Sequence, residues 1–141
     1  MGIALSNEVR QLVGRPNFAH LATIMSDGSP HSAPVWIGRE DDFLLVCTEA
    51  GSLKGKNTLR DPRVSISLVD FVDPYSEVQI RGRVVERRPD PELKHYDAMS
   101  RKYIGIPWPY RDEKSPIVLI IEVTKARYSK QPFEHTPPAV A

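Results

Sequence analysis

The residues best suited to bind a ligand form a basic cluster in residues 52–63. The cluster comprises Lys54, Lys56, Arg60 and Arg63. Ser52 is placed to cap a short helix there, and a helix start offers free backbone N–H groups beside the lysines. Together these groups predict a site for the phosphate or carboxylate of an anionic small molecule. The alternative interpretation is a solvated helix whose lysines only keep the protein in solution.

A second candidate group is the proline-interrupted stretch that precedes this cluster. Residues 31–37 are predicted as a strand, yet Pro34 within them has no N–H to donate to a neighbouring strand. The interruption implies a bulge, a sheet edge, or backbone turned toward a ligand. Trp36 beside this irregular backbone suits the stacking of a flat ring. Trp108 and Tyr110, in a later loop, either contact the ligand or pack in the core or a dimer interface.

No pattern of catalytic or metal-binding residues accompanies these groups. The sequence has no GxGxxG, Walker A, HExxH or GxSxG motif and no evident nucleophile–base pair. Its four histidines lie far apart, which argues against a metal site. The single cysteine, Cys47, lies in an apolar run and is interpreted as a buried structural thiol. We therefore expect no catalytic side chain, and any chemistry belongs to a bound cofactor that the protein orients.

Composition limits the class of protein. The 141 residues are 40% hydrophobic and 26% charged, with a formal net charge of +1. This balance is typical of one globular domain and gives no reason to expect nucleic-acid or membrane binding. No segment reads as a membrane span, and the start lacks the pattern of a signal peptide. We expect a cytoplasmic protein with a single domain over residues 1–130 and a tail over residues 131–141.

The elements that must position these groups are mostly strands. Apolar and polar residues alternate over residues 76–88, and the Asp27-Gly28 turn predicts a hairpin. The other predicted strands cover residues 18–25, 31–37, 43–48, 64–69 and 116–124, with residues 125–130 as an extension of the last. Helices are predicted from Ser6 to Val13, over the basic cluster, and from Asp90-Pro91 to about Tyr103, and residues 39–42 are predicted as a turn. About six strands joined mostly by hairpins predict a mainly β fold, a small antiparallel barrel with short helices.

Three segments also resemble a known family. They are residues 20–36 (HLATIMSDGSPHSAPVW), residues 54–66 (KGKNTLRDPRVSI) and residues 78–84 (VQIRGRV). Their order and spacing resemble the split-barrel flavin-binding superfamily that includes pyridoxamine 5′-phosphate oxidases. The closer resemblance within it is to the reductases that depend on the deazaflavin coenzyme F420.

The resemblance implies a six-stranded split β-barrel of the FMN-binding type, with two chains pairing to form two cofactor sites at their interface. It implies that Lys54, Lys56 and Asn57 bind the cofactor phosphate, with Thr48 nearby. The residues that would lie along the deazaflavin ring are Ser32, Ala33, Pro34, Val35 and Trp36. Partner-chain residues around Trp108 and Tyr110 would close the pocket. Such reductases pass hydride from reduced F420 to an electron-poor enone, quinone or tetrapyrrole, so no catalytic acid or base is needed.

One departure from the superfamily pattern bears on the cofactor. FMN-using oxidases of the superfamily carry an arginine in strand two, and residues 32–38 (SAPVWIG) contain none. The departure favours F420 over FMN, and Arg60 with the two lysines would supply the basic surface for the acidic F420 tail. Two alternatives remain: an FMN-dependent oxidase or reductase of the same fold, and a carrier that binds F420 or a flavin without turnover.

Overall fold

Alternating apolar residues produce long strands that curl around one core. The computed structural model describes residues 2–140, so Met1 and Ala141, which belong to the predicted domain and tail, lie outside it. The elements follow in the order α1 (Asn7–Gly14), β1 (Ala19–Ile24), β2 (Pro30–Val35), β3 (Gly38–Glu40), β4 (Phe43–Glu49), α2 (Leu53–Arg60), β5 (Arg63–Val69), β6 (Ser76–Pro89), α3 (Lys94–Ile104) and β7 (Pro116–Lys130). The predicted mainly β split-barrel fold with short helices is confirmed.

The strands form one antiparallel sheet in the order β2-β1-β5-β6-β7-β4-β3. Pairing is shifted between Arg81 and Gly82 and again between Val84 and Glu86, and such irregularities bend and twist a sheet. Gly82 has to be glycine, because a Cβ there would lie 2.3 Å from the carbonyl oxygen of Glu122. The sheet therefore curls around the core. Its two edge strands, β2 and β3, do not pair with each other within residues 2–140, so the barrel is not closed by hydrogen bonds.

The sheet has seven strands where six are predicted, and the additional one is β3. Residues 39–42 are predicted as a turn, but Gly38–Glu40 pair with β4 and only Asp41 and Asp42 turn the chain. Asp41 adopts the left-handed conformation, with a φ of 52°, which allows this very tight connection. A strand of three residues is too short to show the alternation from which strands are predicted.

The main core lies inside the curled sheet, with α1 covering it. On β5, Val64, Ile66 and Leu68 are buried and the residues between them are exposed, as the alternating pattern predicts. Helix α1 begins as predicted, since the Ser6 hydroxyl accepts a hydrogen bond from the Val9 N–H. Its buried residues Val9, Leu12 and Val13 join this core.

Helix α3 packs on the outer face of the same sheet and buries a second, smaller core. This core comprises Leu45, Met99, Val118 and Ile120. Because β7 lies between the two cores, its residues 116–121 are all buried. The helix begins at Lys94 rather than at Asp90-Pro91. Asp90 still caps it, because its carboxylate accepts hydrogen bonds from the N–H groups of His95 and Tyr96 across an intervening turn.

The segment after β7 has no regular secondary structure as far as residue 140. Phe133 and His135 from this segment contact the ring of Tyr75, with ring centroids 4.6 and 5.5 Å apart. Within residues 2–140, no helix combines the length and the apolar character needed to cross a membrane.

Candidate functional site

Helix α2 begins where the sequence places it, directly after β4. The Ser52 hydroxyl accepts a hydrogen bond from the Gly55 N–H at 3.1 Å and is 2.7 Å from the Thr48 hydroxyl. Thr48 is buried, so its hydroxyl holds the capping serine in place. Of the predicted cofactor-binding residues, Thr48 therefore has a clear role in positioning the helix start.

Gly55 allows α2 to lie directly on the end of β4. A Cβ at this position would be 2.5 Å from the carbonyl oxygen of Glu49 and 2.6 Å from that of Ala50. No side chain fits at these separations, so glycine is required between the two lysines of the cluster. The close packing brings Lys54 to the wall of a cavity, while Lys56 is exposed to solvent.

Two other predicted ligand residues of α2 hold the helix against β1. The Asn57 amide is buried and donates hydrogen bonds to the Thr23 hydroxyl at 3.0 Å and to the Met25 sulfur at 3.4 Å. The Arg60 guanidinium donates to the Asn57 side-chain oxygen and to the Ile24 carbonyl. The polar groups of Asn57 are thus used within the protein, and the role of both residues as cofactor ligands stays a prediction.

The cavity beside Lys54 has a volume of about 380 Å³ and mostly apolar walls. It is lined by Phe18, Pro34, Val35, Trp36, Cys47, Lys54, Tyr96, Met99 and Trp108. The structure thus brings together four residues predicted from sequence: Pro34, Val35, Trp36 and Lys54. The other predicted residues, Ser32, Ala33, Thr48, Lys56, Asn57 and Arg60, lie outside this lining.

Sequence reasoning missed several residues of the cavity wall. Phe18, Cys47, Tyr96 and Met99 line the cavity, and nothing in the sequence predicts them as site residues. The spacing of apolar residues along α3 predicts which face of the helix is buried, but it does not predict which part of the sheet that face contacts. Trp108 lines this cavity in its own chain, and the closing of a partner chain's pocket by Trp108 and Tyr110 stays a prediction.

Trp36 is held in a cluster of aromatic rings. It stacks on Tyr103, with ring centroids 5.1 Å apart and planes at 5°, and meets Trp108 edge-on at 5.8 Å. The Tyr103 hydroxyl accepts a hydrogen bond from the Ile37 N–H at 3.1 Å and donates one to the Asn17 carbonyl. Because Tyr103 covers one face of Trp36, that face is not available for a flat ligand to stack on.

The loop that carries Trp108 is tied down at several points. The Trp108 N–H donates to Asp97 and its indole N–H to Glu113, each at 2.9 Å, and Arg111 pairs with the same aspartate. The Glu49 carboxylate accepts hydrogen bonds from the N–H groups of Lys114 and Ser115. The loop is therefore a fixed wall of the cavity.

A pair of acidic groups, Glu49 and Glu113, joins this loop to β4. Their shared hydrogen bond lowers the pKa of Glu49 and raises the pKa of Glu113, as expected when one carboxyl keeps its proton and donates it to a neighbouring carboxylate. Elsewhere in the wall, burial raises the pKa of the Cys47 thiol to about 12. The thiol is therefore protonated at neutral pH and is a poor nucleophile. Cys47 is half-buried in the cavity wall, however, where the sequence predicts a buried residue.

The described part of the chain contains no group of three or more His, Cys, Asp or Glu residues arranged to hold a metal ion. The site thus consists of an aromatic cavity, an ammonium group in its wall, and a capped helix start next to it. This arrangement can hold a flat conjugated ring that carries a negatively charged substituent, because the walls pack on the ring and the lysine pairs with the charge.

Solved structures with the same fold include proteins described as an F420 reductase and as a heme binding protein. A protein described as an F420 reductase has a TM-score of 0.78 and 27% sequence identity, covering 84% of this chain and 94% of that chain. A conserved hypothetical protein from Mycobacterium tuberculosis has a TM-score of 0.76 and 25% sequence identity, covering 99% of this chain and 95% of that chain. A heme binding protein from Mycobacterium smegmatis has a TM-score of 0.65 and 26% sequence identity, covering 89% of this chain and 55% of that chain.

Comparison with curated proteins gave no match. The sequence pattern of the pyridoxamine 5′-phosphate oxidase family matches residues 5–130, which are most of the chain. This match extends from α1 to the end of β7 and so includes every element that forms the cavity. The chain therefore belongs to the pyridoxamine 5′-phosphate oxidase family.

Proposed function

We propose that this protein is an F420-dependent reductase. When bound, reduced F420 would supply hydride to an electron-poor unsaturated small molecule. The observation that carries the proposal is the position of Lys54, which belongs both to the first turn of a capped helix and to the wall of an aromatic cavity. An ammonium group there pairs with the phosphate of a cofactor whose ring enters the cavity.

In this proposal, each part of the site has a separate task. Lys54 and Lys56 hold the phosphate, and Arg60 extends the basic surface toward the acidic tail. Pro34, Val35 and Trp36 pack on the deazaflavin ring, and Ser32 and Ala33 precede them on strand β2. The Trp108 loop limits access of water to the ring.

Two observations support F420 over FMN. Strand β2, with the sequence PHSAPV, lacks the arginine that FMN-using oxidases of the superfamily carry there. The structurally similar F420 reductase also has 27% sequence identity over 84% of this chain and 94% of that chain. FMN-dependent activity and cofactor binding without turnover are the competing outcomes of the experiment below.

We extend the proposal to a cytoplasmic homodimer whose cofactor sites lie at the interface. Support comes from Phe71 and Val72, whose side chains are 75% and 85% exposed. Phe71 also contacts Phe18, a residue of the cavity wall, with ring centroids 6.5 Å apart. Apolar surface of this kind, continuous with a cavity, is typical of an interaction surface.

The experiment is a turnover assay with purified protein, reduced F420 and an enone as acceptor. We expect oxidation of F420H2 that depends on both protein and acceptor. Lys54→Ala and Lys56→Ala should each weaken F420 binding by about 1–3 kcal/mol, because each removes a charge-assisted hydrogen bond. Lys125→Ala, which removes an exposed lysine of β7, serves as the matched control and should leave binding unchanged.

Other outcomes identify the alternatives. Tight F420 binding without acceptor-dependent oxidation would indicate a carrier rather than a reductase. If Lys54→Ala and Lys125→Ala bind F420 with the same affinity as the parent protein, the basic cluster is solvated surface and the proposed phosphate site is wrong.

A further inference from the structure

A second cavity lies beside α3, next to the cavity of the candidate site. It has a volume of about 290 Å³, and its wall is more apolar than polar. Residues of α1, β3, β4 and α3 form this wall, which includes the cationic side chains of Arg39 and Lys102 and, among the described residues, no Asp or Glu. We call it the Lys102 cavity. Cys47 and Met99 belong to the walls of both cavities, so the two are neighbours.

Lys102 lines its cavity with an ammonium group that is fixed in place. The residue is half-buried, and its ammonium donates hydrogen bonds to the carbonyl of Val13, in the last turn of α1, and to that of Ile37 at 2.6 Å. The first bond also places a cation at the C-terminal end of a helix, where positive charge is favoured. A lysine ammonium has three N–H donors, so one remains for a ligand in the cavity.

The ammonium of Lys102 forms no ion pair with a carboxylate in the part of the chain that the structure describes. Burial alone lowers its pKa, to about 8, with no acidic neighbour to offset the effect. The acidic groups of Glu40 and Glu86 lie near His95, which also lines the cavity, but Arg88 pairs with both of them. Buried charges in proteins are ordinarily paired, and an anion in the cavity would provide that pairing.

Arg39 adds a second cation to the wall. Its side chain is exposed, and one guanidinium nitrogen donates to the carbonyl of Asp41 at 2.7 Å. Within residues 2–140 its other N–H donors have no partner, and a guanidinium has five. The carboxylate of Asp42 lies near Arg39 but is paired with Arg10. The positive charge of this wall is therefore available to a ligand.

We propose that the Lys102 cavity is a binding site for a small organic carboxylate. The ammonium of Lys102 pairs with the carboxylate, and Arg39 adds positive potential at the exposed side. The hydrocarbon body of the ligand packs on Leu45, Ala98 and Met99. Such a ligand suits the wall better than inorganic phosphate, because few polar groups besides the two cations are present to bind further oxygens. The site takes no part in the proposed binding of F420.

Benzoate is the probe that tests the proposal, and neutral benzyl alcohol is the ligand control. In titration calorimetry of the purified chain, we expect saturable binding of benzoate and at least about tenfold weaker binding of benzyl alcohol, because only benzoate pairs with the ammonium. In protein labelled with carbon-13 at the methionine methyl groups, benzoate should shift the signal of Met99. The signal of Met25, which lines neither of the two cavities, should stay in place.

Two variants locate the site. Lys102→Met removes the ammonium, whereas Ala98→Leu fills the cavity from an exposed position of α3 and keeps every hydrogen bond of Lys102. Each should weaken benzoate binding at least about tenfold. Lys94→Met removes an exposed lysine of the same helix outside the cavity wall, and Lys54→Ala removes the lysine of the neighbouring cavity. Both controls should leave the affinity within about twofold of the parent value.

Three results would overturn the proposal. One is benzoate that fails to saturate the parent protein below about 10 mM, or that binds no tighter than benzyl alcohol. Another is unchanged benzoate affinity in Ala98→Leu. The third is loss of binding in Lys54→Ala, which would place benzoate in the cavity of the candidate site. None of these measurements involves F420, so this proposal and the proposed function are tested separately.

Discussion

At the scale of single residues, polar side chains in and beside helix α2 look alike in the sequence but have different surroundings in the structure. Lys54 reaches the cavity wall, whereas Asn57 is buried and Thr48 supports the capping serine. Residue type and spacing identify a polar segment at a helix start, which is why Ser52 could be predicted as the cap. They do not tell which polar atoms find a partner in the protein, because that depends on residues from β1 that are distant in sequence.

Gly55 gives a prediction at this scale. Gly55→Ala forces α2 away from the end of β4, since its Cβ would lie 2.5 Å from a backbone carbonyl oxygen. We expect thermal unfolding to show a loss of stability of about 1–3 kcal/mol, together with weaker F420 binding because Lys54 moves with the helix. Gly51→Ala is the control, since no atom lies within 4 Å of a Cβ at that position. Equal stability of the two variants would show that α2 is not held in this way.

At the scale of elements, most of the fold could be predicted because the strands have strong periodicity. The alternation on β5 and β6 and the apolar run of β7 each correspond to an observed burial pattern. Strand β3 is missing from the prediction because three residues show no period, and α3 starts late because Asp90 caps it from a preceding turn. The stacking of Trp36 on Tyr103 joins elements that are far apart in the chain, so it could not be predicted from local pattern.

The loop that carries Trp108 should respond to pH through Glu49 and Glu113. The pKa of Glu113 is raised, so its stabilising contribution is present at low pH and is lost as the pH rises through its raised value. The pKa of Glu49 is lowered, so its contribution is lost as the pH falls through that lowered value. The loop is therefore held best in the pH window between the two pKa values.

Tryptophan fluorescence measures this effect, because both tryptophans, Trp36 and Trp108, line the cavity. We expect the emission of the parent protein to change as the pH rises out of the window. Glu113→Gln keeps a donor for Glu49 and an oxygen for the Trp108 indole, and its amide does not titrate. The variant should lack the change on the alkaline side of the window, and an identical pH profile in both proteins would refute the role of the pair.

At the scale of the whole molecule, the fold brings the two candidate groups of the sequence to one cavity. Pro34 and Val35 come from β2, Trp36 directly follows that strand, and Lys54 comes from α2; the curled sheet places them around the same cavity. Helix α3 and the Trp108 loop complete this wall from the C-terminal half of the chain. Membership of the pyridoxamine 5′-phosphate oxidase family fits this arrangement.

The most direct measurement of the central claim is a parallel titration of the purified protein with F420 and with FMN, followed by fluorescence of the bound cofactor. We predict saturable binding of F420 and an affinity for FMN at least about tenfold lower, a difference of about 1.4 kcal/mol. Tighter binding of FMN than of F420 would contradict the account.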